Sequence, residues 1–174
     1  MFGRYFAVLW AGVSAFATAA SASPFYDAAV CRPPYSMDSA TTLYDAAEKL
    51  AKPDTSLLFA NVYTLGEDLG EDGFKTRQVI FSSTSVGVLV EGLQADALAQ
   101  RYHLTKERSS LLRTSTNGYA RALPANEQPM PDLGVVSIIA RESPSLPGKT
   151  LLACEFVSAE DQKALDDYEK SRRP

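Results

Sequence analysis

Apolar positions along this chain recur with two different periods, and the switches between them outline about six strands and about three helices. Leu43, Ala46, Ala47 and Leu50 stand at i, i+3, i+4 and i+7, the stripe of one helix face, with Asp38 or Ser39 available as a cap and Pro53 closing the segment. Asp45, Glu48 and Lys49 fall on its polar side. From Ser56 to Leu65 the period shortens to two. Leu57, Phe59, Tyr63 and Leu65 alternate with Leu58, Ala60 and Val62, so both faces are apolar and the strand is expected at the centre of a sheet, with Asn61 the exception. Phe74 to Ser82 forms a second strand, with Phe74, Thr76, Gln78 and Ile80 on one side. Thr84 to Glu91 forms a third, setting Val86, Val88 and Val90 against Ser85, Gly87, Leu89 and Glu91. Gly92 stops it, and Leu93, Ala97, Leu98, Arg101 and Tyr102 return to helical spacing as far as about His103.

A short polar helix or turn is expected through Lys106 to Arg113, and Asn117-Gly118 then turns the chain into a short strand, Tyr119 to Leu123. Pro124 to Pro131 is a loop with three prolines. Gly134 to Glu142 and Lys149 to Val157, rich in Val, Ile and Leu, are the two arms of a hairpin. Ser158 and Asp161 have the spacing of a capping box for a last helix with Ala164, Leu165 and Tyr168 inward and a charged, solvated tail through Arg173. Strands joined mostly by loops too short for parallel crossovers make this an α+β chain with a mostly antiparallel sheet.

The chain's start has a different pattern. Arg4, the apolar run Tyr5 to Ala20 and the small residues Ala20-Ser21-Ala22 have the layout of a secretory signal peptide, residues 1–22, cut after Ala22. A spanning anchor would need roughly 20 apolar residues, whereas Gly12, Ser14 and Thr18 interrupt this run. A lipoprotein needs a cysteine at the cut, and Cys31 is too far along and follows the bulky Val30. Residues 23–174 are therefore expected to be a single exported domain, not stably inserted in a membrane. The periplasm is its expected compartment for a source with two membranes, and the extracellular space is the alternative. Residues 23–38, with Pro24, Pro33 and Pro34 and no period, are expected to form an irregular arm.

Export changes the meaning of the two cysteines. In an oxidising compartment Cys31 and Cys154 are expected to form one structural disulfide that ties the arm to the last strand, since a redox-active pair would be spaced C-x-x-C. Charge narrows the partners. The full chain has 17 basic and 21 acidic residues, and loss of Arg4 takes the net charge from −4 to about −5. With basic residues scattered, nucleic acid and anionic membranes are not expected partners.

Candidate chemistry is sparse. His103 is the only histidine, and a serine hydrolase would have to pair it with Ser82, Ser83, Ser85, Ser109, Ser110 or Ser115, none of which sits in a G-x-S-x-G elbow. No catalytic residue is assigned. Two thiols and one histidine are too few for a metal site, and no cofactor is implied. The Gly66 to Gly73 stretch carries Glu67, Asp68, Glu71 and Asp72 in a pattern that departs from a calcium loop, so it is expected to be a hairpin tip. An exposed acidic tip can meet the basic surface of another exported protein. Glu91 and Glu155 are isolated carboxylates in apolar strands. Tyr26, Tyr35, Tyr119 and Phe25 lie in arms and loops, where they serve either recognition or ordinary packing. The reading these features favour is a small exported protein-binding module, of inhibitor or immunity type. The alternatives are a small periplasmic hydrolase using His103, or an accessory envelope-assembly or ligand-carrier protein.

Overall fold

The period-two segments build one antiparallel sheet. The computed structural model describes residues 23–57, 59–107 and 116–171. The strands are β1 (Pro53–Asp54), β2 (Ala60–Thr64), β3 (Gln78–Ser82), β4 (Ser85–Glu91), β5 (Thr105–Lys106), β6 (Asn117–Ala122), β7 (Gly134–Glu142) and β8 (Lys149–Ser158). They lie in the order β1-β2-β3-β4-β8-β7-β6-β5. The helices are α1 (Pro24–Ala29), α2 (Met37–Leu50), α3 (Ala95–Tyr102) and α4 (Ala159–Ser171). The α+β class and the hairpin of β7 and β8 agree with the sequence pattern. The sheet has eight strands rather than about six because β1 and β5 are two-residue edges, too short to show any alternation. An edge is also where a proline such as Pro53 is tolerated, since it has no N–H to give to a ladder.

The irregular arm expected over 23–38 is instead helical at α1, and its aromatic residues are core. Pro24 occupies the first turn, where a missing N–H leaves no bond unmade. Six residues are too few to display a helical period. Phe25, Tyr26, Ala28 and Ala29 are buried, and Tyr102 donates its hydroxyl to that of Tyr26 at 3.1 Å. Burial, followed by this hydrogen bond, raises the Tyr26 pKa. Tyr35 is also buried and stacks on Phe156, while the Tyr119 hydroxyl bonds Asp96 at 2.5 Å. These four aromatics anchor elements rather than forming an exposed recognition surface.

Immediately after α1, Cys31 bonds Cys154 of β8 with an S–S distance of 1.99 Å. The expected staple is thus present, and it fastens α1 over the middle of the sheet. Helices α1, α2 and α3 share a face whose core includes Tyr63, Phe81, Val88, Leu98, Ile138 and Leu152. At its far end the cross-strand pair Glu142 and Thr150 starts α3: the Glu142 carboxylate accepts from the Ala95 N–H at 3.0 Å, and the Thr150 hydroxyl accepts from Gln94 N–H at 2.7 Å.

Several boundaries and faces differ from expectation. The cap of α2 is Ser36, which exchanges bonds with Ser39 in a capping box. Its fully buried residue is Ala47, with Leu50 two-thirds exposed. β2 begins at Ala60 and has only the short β1 outside it, so it is not central. β3 begins at Gln78, because the chain before it belongs to the acidic loop. In α3, Leu98, Ala95 and Ala99 face inward while Ala97 is exposed, as is Leu93, which lies before the helix. Ser158 and Asp161 do cap α4, but Ala164 is exposed and Leu165 and Tyr168 are only partly covered. The expected signal peptide, all but the first two residues of the helix or turn from Lys106, and the tail beyond Ser171 lie outside the described residues.

Candidate functional site

The acidic stretch between β2 and β3 is the best-built surface feature. Its two legs are joined by Leu65 N–H to Arg77 O at 2.7 Å and Leu69 N–H to Thr76 O at 2.7 Å. Asp68 closes it from within, one carboxylate oxygen accepting from the N–H groups of Gly70 (2.9 Å) and Thr76 (3.1 Å). At Gly70 an added Cβ would lie 1.7 Å from the Phe74 carbonyl oxygen, so only glycine allows the backbone to fold back this closely. Leu69 is buried beneath, and Thr76, also buried, donates to the Leu89 carbonyl of β4 at 2.8 Å.

Two ion pairs then tie the loop to the helical layer. Arg101 of α3 binds Asp72 at 2.7 Å, and Arg32, just after α1, binds Glu71 at 3.0 Å and Asp27 at 3.0 Å. The Arg101 bond holds the Asp72 carboxyl below its usual range, and the Gly70 and Thr76 N–H bonds do the same for Asp68. The four acidic residues therefore divide. Glu71 and Asp72 serve the loop's attachment, whereas Glu67 makes no ion pair among the described residues and Asp68 stands exposed beside it.

Beside Glu67 and Asp68 runs a trough along α2. A hollow of about 450 Å³ is lined by Phe25, Leu43, Ala46, Leu50, Leu69 and the two acids. A second, of about 510 Å³, continues toward the N-terminus of α2 past Asp27, Arg32 and Asp38. Pro24 and Leu43 border both, so the two hollows adjoin along α2.

Among the described residues, those weighed for hydrolysis are not assembled. His103 ends α3 in a left-handed conformation and is exposed. Ser82 and Ser85 bond each other at 2.6 Å across the β3–β4 turn. Among the described residues no hydrogen bond joins His103 to a serine, and Ser109, Ser110 and Ser115 lie outside them. Glu91 borders a small cleft of about 240 Å³ with Asp72, Lys75 and Gln94. Glu155 is ion-paired with Arg141 at 2.9 Å. No group of three His, Cys, Asp or Glu among the described residues could hold a metal ion, and none of their helices is long and apolar enough to cross a membrane. The bridge itself is of the kind that persists in oxidising compartments. No family model, curated protein or solved structure matches this chain.

Sequence reasoning located the acidic loop but missed its fastenings, because Arg32 and Arg101 are distant along the chain and carry no local signal. It also passed over Arg141 and Glu142, charged residues ending an apolar strand.

Asp68 makes the loop acid-sensitive in a defined direction. Its folded-state pKa lies below the unfolded one, so its contribution is present above the ordinary carboxylate value of about 4 and is lost as pH falls through the lowered folded value. Hydrogen exchange at the Gly70 and Thr76 amides, corrected for intrinsic rates, is expected to quicken below pH ~4 while the β4 amides stay protected. Asp68→Ala is expected to show the fast pattern already at neutral pH. Equal protection in variant and parent would remove Asp68 as the organiser of the loop.

Proposed function

We propose that this chain is a small exported protein-binding module, of inhibitor or immunity type, that occludes an envelope-acting enzyme or toxin in the periplasm. The observation that carries this reading is the pre-organised acidic loop. Bonds from Arg32, Arg101 and the backbone hold it before any partner arrives, while Glu67 and Asp68 remain exposed next to apolar side chains of α2. A surface already ordered loses little conformational freedom on association, which favours tight binding. Acidic groups exposed around an apolar surface also speed encounter with a basic partner. The layout of residues 1–22 and the buried Cys31–Cys154 bridge support export.

The test is purification of the tagged protein from its own cell envelope and culture fluid. The recovered chain is expected to begin at Ser23, and one exported protein is expected to accompany it one-to-one and to lose its enzymatic or toxic activity in the complex. Recovery of the chain from the cytoplasm with an intact N-terminus would overturn export. Reproducible recovery without a stoichiometric partner would overturn the binding role.

A further inference from the structure

We propose that the trough along α2 is the docking site, and that its occupant is an apolar segment of a partner protein flanked by lysine or arginine. This rests on the protein-binding reading above and adds the surface and the chemistry it selects. The apolar stripe of α2 is wider than the core needs. Ala47 is fully enclosed and Tyr44 packs edge-on against Tyr63 and Phe81, which rotates Leu43 and Ala46 to the margin and leaves Leu50 66% exposed. These three, with Phe25 and Leu69 beneath, form an apolar floor that no described element covers. From Asp38 to Leu50 the helix rises about 18 Å, room for a segment of several residues.

The rim decides what kind of segment. Glu67 and Asp68 stand at one end of the trough and Asp38 and Asp27 at the other, against the single cation Arg32, which already binds Asp27 and Glu71. Four carboxylates line the trough against one guanidinium, and two of them, Glu67 and Asp38, make no ion pair among the described residues, so the rim is net negative and disfavours phosphate-bearing surfaces such as anionic lipid or nucleic acid. Basic residues beside apolar ones complement it. The walls are also fixed in advance: α2 by its capping box, α1 by the disulfide and the loop by its ion pairs. A preformed concave surface with an apolar floor and few charged groups is the usual form of a specific binding site.

The experiment places a photoreactive benzophenone side chain at Leu50, or as a control at Leu93, which is equally exposed but outside the trough. Each protein is irradiated in its own cells, and cross-linked peptides are sequenced. A cross-link from Leu50 to a partner peptide that combines apolar residues with lysine or arginine is expected, with little from Leu93. Glu67→Lys, which breaks no ion pair, is expected to cut its yield about tenfold, and Glu67→Gln less. A partner that co-purifies yet cross-links equally from Leu93, or through an acidic peptide, overturns the trough while leaving the binding role intact. So does a cross-link from Leu50 to a second copy of this chain or to its own residues 1–22. Absence of both cross-links and a co-purifying partner overturns the binding role itself.

Discussion

Reduction of the Cys31–Cys154 bridge is expected to remove more stability than any other single change to this molecule. The bridge joins residues 123 apart, and on the chain-entropy model opening a loop of that length costs about 5 kcal/mol, with 2–5 kcal/mol the usual loss for native bridges in small secreted domains. Total stability of such domains is only about 5–15 kcal/mol. The location adds to the effect. Cys154 is on the covered face of β8, and the bridge is the covalent tie that holds α1, with Phe25 and Tyr26, over the sheet. A Cys31→Ala, Cys154→Ala double variant is therefore expected to unfold at much lower urea than the parent, and the parent in reductant to match it. Hydrogen exchange in the variant is expected to show α1 released before the β7–β8 hairpin. Coincident urea transitions for parent and variant would mean that packing alone holds α1.

The second large effect is expected at Arg141, on the sheet face opposite α1, α2 and α3. Its guanidinium sits between Glu107 at 2.6 Å and Glu155 at 2.9 Å. The register places Ile139 opposite Ala153 between Arg141 and Glu155 on that face, so the ion network spans this apolar pair. Neighbouring carboxylates hold the guanidinium fully protonated despite its burial. Arg141→Met leaves two carboxylates facing one another without a cation. The three side chains keep 18% to 24% of their exposure, so the loss is expected near the lower end of that for a broken buried pair, about 3 kcal/mol. Adding Glu107→Gln and Glu155→Gln to Arg141→Met removes the repulsion and is expected to recover most of the loss, since a neutral, well-packed replacement of an ion network is often near neutral. Urea unfolding of the single and triple variants checks this. A single variant within ~0.5 kcal/mol of the parent, the range of ordinary surface substitutions, would show the network to be incidental.

The trough has a related lesson in its origin. Leu43, Ala46, Ala47 and Leu50 form a correct helical stripe, yet periodicity does not say how much of a stripe the core will cover. Tyr44, outside the predicted face, meets Tyr63 and Phe81 and sets the rotation of α2. The surplus apolar width thus became surface. In the same way Glu67, Asp68, Glu71 and Asp72 were recognisable as an acidic tip, but which of them stay available depended on Arg32 and Arg101 arriving from elsewhere in the chain.

What the sequence by itself determined is the local and the covalent. The valine alternation of β4, the long hairpin of β7 and β8, the Ser158 cap of α4 and the pairing of the only two cysteines were all legible, because each rests on period, cap chemistry or simple count. Tertiary structure alone decided that Pro24 to Ala29 is a buried helix, that β1 and β5 extend the sheet, and that Arg141 and Glu142 are structural charges. The helix and the two edge strands are too short to carry a period, and they and the two charges draw their free energy from groups far apart in the chain, so no window of sequence contains both halves of the interaction.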